Sequence, residues 1–164
     1  MRISFKIFKP NINELVSNKE KPHIAVKRLS LLKALKARKK YKKDFILSAD
    51  TLVYTRRQII NKTSKIEEAY KNLKQLSGRR HMVFTGLTFI DKEDKIHNSV
   101  TKTVIKFKVL QENELNRYIL TEEWKERAGS YAIQGYAQSF ITFLSGSYSN
   151  VVGLPMHKFH VIAE

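Results

Sequence analysis

The chain contains no cysteine. That excludes disulfides, a thiolate zinc site and a cysteine nucleophile, and it fits a reducing compartment. Glycine is scarce: the 6 residues of this type form no GxGxxG, no P-loop and no GxSxG elbow. The 3 prolines mark no linker, so residues 1–164 read as one domain without an internal boundary. No apolar run approaches the roughly 20 residues of a membrane span. Met1-Arg2-Ile3-Ser4-Phe5-Lys6 has no apolar core of signal-peptide length. A soluble, cytoplasmic protein is the expectation. Acidic residues are also few, 15 against 31 Lys and Arg, for a formal charge of +16. Such a field attracts polyanions without choosing among nucleic acid, phospholipid and phosphorylated metabolites.

Much of that charge lies in Lys36-Ala37-Arg38-Lys39-Lys40-Tyr41-Lys42-Lys43. Cations suit the C-terminal end of a helix, and Tyr41 is the lone aromatic there. The run therefore reads as a solvated helix end rather than a nucleic-acid surface. The histidines, His23, His81, His97, His157 and His160, show no zinc-binding spacing. Hydrophobic residues make up 42% and aromatics 10%, enough for a real core.

Phe45 to Tyr54 reads as a buried strand, apolar and β-branched on both flanks. Asp50 sits in its middle. Burying an unpaired carboxylate costs several kcal/mol, so a cation or a substrate is needed to offset it. Asp50 is the first candidate for chemistry. The alternative is a strand-end Asp that bonds a following turn, and residue type leaves both open.

Around this strand the pattern predicts a strand at 2–8 and a polar turn Asn11-Ile12-Asn13-Glu14. A helix is expected over 22–39, with Ile24, Leu31, Leu32 and Leu35 at helical spacings. Arg56-Arg57-Gln58 reads as a hairpin turn before Ile59-Ile60. Ser64 with Glu67 reads as a capping box opening a helix near 65–76, closed by Gly78. Strands near 81–90 and 99–109, a helix at 111–120, an irregular stretch at 121–138, a strand at 139–144 and a short helix after Pro155 follow. The fold class is α/β: a mixed sheet flanked by helices.

Other polar residues have plain and functional readings. Lys62 opens a capped helix and can face a phosphate there, or be an ordinary surface lysine. Lys33, near the apolar stripe of the first helix, snorkels or points at an anion. Glu14 can help hold a divalent cation. Gln134, between small or apolar residues, can read a base edge or bond the backbone of its loop. Residues alone stop at an α/β domain suited to a phosphorylated ligand.

Together these stretches resemble the Maf family of nucleoside triphosphate pyrophosphatases. Ser48-Ala49-Asp50-Thr51 is similar to the family's (S/G)-A-D-T core, and Asn61-Lys62 to its G-K-P loop. Leu76-Ser77-Gly78, His81 and Thr85-Gly86 fit L-S-G-x-x-H-x-V-x-T-G. Residues Ala128 to Gly135 fit A-G-x-Y-x-I-Q-G, and Gly146 to Pro155 fit G-(S/D)-Y-x-N-V-V-G-L-P. The segments occur in the family's order over nearly the whole chain.

The resemblance implies hydrolysis of a nucleoside triphosphate to the monophosphate and pyrophosphate with Mg or Mn. It makes Asp50 the proton acceptor and, with Glu14, a metal ligand. It makes Lys33 and Lys62 phosphate-binding, and Thr51 and Gln134 the specificity positions of the dTTP/UTP branch. It also allows a homodimer. The chain departs from the family in three places. The S-x-S-P-R-R-x-E-L-L segment has no counterpart, so the chain reads as truncated at its N-terminus. The D-I-D-E turn reads Asn11-Ile12-Asn13-Glu14, and the G-K-P loop keeps only its Lys. A second expectation follows from these departures: a catalytically inactive Maf-like protein that binds nucleotide or nucleic acid.

Overall fold

Asp50 lies on the second strand of a five-stranded sheet in the computed structural model, which describes residues 4–17 and 20–163. In chain order the elements are α1 (Pro22–Lys40), β1 (Ile46–Thr55), β2 (Gln58–Ile60), α2 (Ile66–Leu76), β3 (Arg80–Ile90), β4 (Ile96–Phe107), α3 (Glu112–Leu120), β5 (Ile141–Ser145), α4 (Tyr148–Val152) and α5 (Met156–Ala163). The sheet order is β2-β1-β3-β4-β5. Every described ladder is antiparallel, so the parallel component of the expected mixed sheet is absent among the described residues. The α/β architecture itself, a sheet with helices on both faces, stands.

Short connections dictate this pairing. Thr55 and Gln58 close a two-residue hairpin with Arg56 and Arg57 both at positive φ, the backbone that matches strand twist. β3 and β4 are joined by a turn in which Asp91 Oδ1 accepts from the N–H groups of Glu93 and Lys95. Because β2 spans three residues, β1 pairs on that side only from Val53 onward. Residues 46–52 therefore have a strand neighbour on the β3 side alone among the described residues. Residues 4–17 form no strand there. The alternation at 4–8 misleads because a strand needs a partner ladder, and those residues find none; residues 1–3 lie outside the described ones.

The sheet's two faces are dressed differently. Ile46, Ser48 and Asp50, with their register partners Ile90, Thr88 and Gly86, face α1. Gly86 is required there: a Cβ would lie 2.1 Å from the Val26 carbonyl oxygen. The helix backbone thus rests directly on the strand, and its inner face is made of small residues, Ala25, Ser30, Ala34 and Ala37 with Val26 and Leu29. Sequence periodicity pointed instead to Ile24, Leu31, Leu32 and Leu35. Ile24, Leu32 and Leu35 are exposed and Leu31 half-buried, because the contact at Gly86 turns the face carrying Ala25, Val26, Leu29, Ala34 and Ala37 onto the sheet instead.

The opposite face carries the main core. Val53, Val83 and Ile105 pack there with Leu73 and Leu76 of α2, Leu115 and Tyr118 of α3, Trp124 and Phe140. α2 opens without the expected Ser64–Glu67 capping box. The Ser64 hydroxyl donates to Glu126 instead, and Thr63 Oγ1 takes the N–H of Lys65 at 3.0 Å. Gly78, at φ 68°, ends that helix as expected. The stretch 121–138 is less irregular than predicted, with 3-10 turns at Ala128–Ser130 and Tyr136–Phe140. No described helix is long and apolar enough to cross a membrane.

His81 is 1% exposed in this core, its Nε2 2.9 Å from the Tyr131 hydroxyl and its Nδ1 without a hydrogen-bond partner. Burial pushes its pKa down from 6.5 to about 4. The unfolded chain therefore takes up a proton near pH 6.5 that the fold refuses until about pH 4. Stability from this group is full above pH 6.5 and is lost as pH falls towards 4. Urea denaturation at pH 7.5 and pH 4.5 is expected to show the native protein losing roughly 2–3 kcal/mol more than a His81→Gln variant.

Candidate functional site

A cleft of about 310 Å³ opens where the edge of β1 is unpaired, lined by residues of α1, β1, the coil around Glu14, the loop after β2 and the segment 126–134. Because side chains alternate along a strand, Asp50 enters this cleft from the α1 face and Thr51 from the opposite one. All six residues singled out in the sequence line it: Glu14, Lys33, Asp50, Thr51, Lys62 and Gln134.

Their contacts explain how a carboxylate is tolerated in the strand. Asp50 is 8% exposed and receives a hydrogen bond on Oδ1 from the Lys33 ammonium. Lys33 is delivered by α1, one turn after Ser30, whose hydroxyl lies 3.0 Å from that of Thr88. Lys33 Nζ also lies 3.0 Å from Glu14 Oε1, and Lys62 Nζ lies 3.0 Å from Glu14 Oε2. The result is a chain of alternating charge, Asp50–Lys33–Glu14–Lys62, running from the buried strand to the rim.

Burial raises the Asp50 carboxyl above its usual range, outweighing the pull of Lys33 and Lys62. Burial works against the Lys33 ammonium too, but its bonds to Asp50 and Glu14 hold its pKa above that of ordinary lysine. Burial would also raise Glu14; Lys62 and Lys33 overcome it and set the carboxyl below its ordinary value. The half-buried lysine is thus paired with two acids, one held ionised and the other reluctant to ionise.

Among the described residues no group of three or more His, Cys, Asp or Glu side chains converges. A fully protein-made cage is therefore absent among them. The two carboxylates of Glu14 and Asp50 already share one cation, the Lys33 ammonium. Two carboxylates supplemented by substrate phosphates and water are the ligand set Mg²⁺ takes, so the donors present fit such an ion.

Thr51 Oγ1 lies 2.8 Å from the hydroxyl of Thr85, and Gln134 is exposed, its amide making no hydrogen bond to described residues. Sequence reasoning missed Arg127, an exposed cation on the cleft wall. It lies next to the Ala128-Gly129 pair that did draw notice, but a single Arg on a polar stretch carries no signal. Thr85 was noted only as part of a motif. Its partners are 34 and 65 residues away, a separation no local pattern reveals.

A chain of ion pairs at a strand edge, in a cleft that also holds the exposed Lys62 and Arg127 side chains, has the charge that suits an anionic, phosphorylated ligand. The chain matches the Maf-like protein family over residues 1–163, and it belongs to that family. It is 42% identical over 153 residues to a dTTP/UTP pyrophosphatase of Chelativorans sp. (strain BNC1), covering 90% of this chain and 73% of that protein. It is 41% identical over 153 residues to a nucleoside triphosphate pyrophosphatase of Ehrlichia ruminantium (strain Welgevonden), covering 93% and 80% respectively. A dTTP/UTP pyrophosphatase of Agrobacterium fabrum is 39% identical over 154 residues, covering 90% and 74%.

Proposed function

We propose that this chain is a nucleoside triphosphate pyrophosphatase that hydrolyses dTTP and UTP. The observation that carries the reading is the buried Asp50–Lys33 pair opening into a cleft with Glu14, Lys62, Thr51 and Gln134. The names of the three relatives above support the same activity for a chain this similar.

In this reading water attacks the α-phosphorus, Asp50 accepts its proton, and the bond to the bridging oxygen breaks. The products are the nucleoside monophosphate and pyrophosphate. A carboxylate with a raised pKa is a better proton acceptor than an ordinary one. A Mg²⁺ or Mn²⁺ ion held by Glu14 and Asp50 would neutralise charge on the phosphates. Lys33 and Lys62, no longer occupied by those carboxylates, would turn their ammonium groups to phosphate oxygens. Arg127 stands where it can add a planar, two-pronged contact. Thr51 and Gln134 read the base.

Incubation of the protein with UTP or dTTP and Mg²⁺ tests the reading. Equimolar monophosphate and pyrophosphate are expected; release of inorganic phosphate, or no turnover, would sink it. EDTA is expected to abolish turnover and added Mg²⁺ or Mn²⁺ to restore it. In a melting experiment without nucleotide, Mg²⁺ is expected to shift the native protein but not an Asp50→Asn, Glu14→Gln double variant.

A further inference from the structure

The hydroxyl groups behind Thr51 are oriented by their partners. Asn150 is fully buried, and its side-chain amide donates to the Val83 carbonyl at 3.2 Å and to Thr103 Oγ1 at 3.0 Å. These bonds pin the middle of α4 to β3 and β4, which holds the Asn150 main-chain carbonyl in place. Thr85, also fully buried, donates its hydroxyl hydrogen to that carbonyl at 3.1 Å. A threonine hydroxyl has one hydrogen. With it committed, Thr85 Oγ1 can only accept, and the group within reach is the Thr51 hydroxyl at 2.8 Å. The arrangement that satisfies both hydroxyls runs Thr51 to Thr85 to Asn150 carbonyl. Thr51 Oγ1 is then left with lone pairs alone, on the wall of the cleft.

We propose that Thr85 is a positioning residue for nucleotide choice: it locks the Thr51 hydroxyl as an acceptor, which selects a base edge that offers N–H. Uracil and thymine present an imide N–H at ring nitrogen 3. Cytosine presents an acceptor at that atom, so two lone pairs would oppose each other. Gln134 cannot enforce this choice by itself. Its amide carries a donor and an acceptor and can turn over to suit either ring. A rotatable Thr51 hydroxyl would be as permissive, since it could donate to cytosine. The discrimination comes from the fixed proton, and the proton is fixed by Thr85.

The inference rests on the pyrophosphatase reading and on Thr51 facing the base. The experiment is the ratio of kcat/KM for UTP over CTP, with Mg²⁺ present, in the native protein and in Thr85→Val, Thr85→Ser and Thr51→Val. Valine keeps the shape of threonine without the hydroxyl. Thr85→Val is expected to lower the ratio about tenfold or more, the usual scale for losing one buried polar reader. Thr85→Ser is expected to restore it, and Thr51→Val to lower it like Thr85→Val. A purely structural role would reduce both nucleotides alike and leave the ratio unmoved, and that result in Thr85→Val overturns the proposal. Should Thr85→Val fail to fold, an unchanged ratio in Thr51→Val overturns it equally. If the native protein turns over neither nucleotide, the pyrophosphatase reading itself has failed, a result separate from an unaltered ratio in an active variant.

Discussion

Asp50→Asn is expected to lower turnover of UTP by roughly 10²–10⁴-fold, the span of acid-base assistance by one positioned side chain. The amide keeps the shape of the carboxylate and can still accept from Lys33, but it cannot take a proton from water. The fold is expected to survive. Burial raises the Asp50 carboxyl in the native state, so removing its charge relieves a desolvation cost, while Lys33 keeps its bond to Glu14. Thermal melting should therefore show Asp50→Asn at least as stable as the native protein near pH 7. The sign can be checked directly. A carboxyl with a raised folded pKa destabilises the fold once pH exceeds its unfolded value, and the neutral variant escapes this. A variant with full turnover, or one inactive because it has unfolded, would contradict the role assigned to this residue.

Gly86→Ala is expected to have the second largest effect, on stability and turnover together. The added methyl would lie 2.1 Å from the Val26 oxygen and 2.4 Å from its carbon. Both are main-chain atoms, so no side chain can swing away. Either α1 lifts from the sheet or β3 buckles. Overpacking of this kind costs about 1–3 kcal/mol, occasionally more. At roughly 2–4 °C per kcal/mol for a chain of this size, the melting temperature should fall by about 2–12 °C. Gly86 is also the register partner of Asp50. Lifting α1 moves Lys33 away from the carboxylate, and a misplacement of about 1 Å can cost around 10²-fold in rate. Calorimetry and pyrophosphate release on the same variant check both consequences. A well-folded, fully active Gly86→Ala protein would mean that α1 does not set the Lys33–Asp50 contact.

Some of this could be read from the residues in order. A carboxylate inside an apolar, β-branched run demands a partner, and the need for one at Asp50 was legible; Lys33 supplies it. The long helix was legible from its leading Pro22 and basic last turn, and the β3–β4 hairpin from two strand-like runs around a polar turn. The inner face of α1 was not. Periodicity weighs large apolar side chains, whereas the decisive fact is a glycine 60 residues further on, opposite Val26. The cap of α2 was misread because Ser64 spends its hydroxyl on Glu126, 62 residues away. The strand expected at 2–8 had the right alternation but no ladder to join among the described residues. Gln134 and Lys62 could be named as candidates, yet only the fold brings them into the cleft that Asp50 lines. Local chemistry announces itself in sequence; proximity across the sheet does not.

In the proposed reading, the pleat of β1 separates two tasks given to neighbouring residues. Asp50 hangs on one side with the helix that supplies its ammonium, and Thr51 on the other with the hydroxyls behind it. In that reading, altering which nucleotide is taken need not touch the groups that break the bond, because the two side chains reach the one cleft from opposite faces of the strand and have different hydrogen-bond partners.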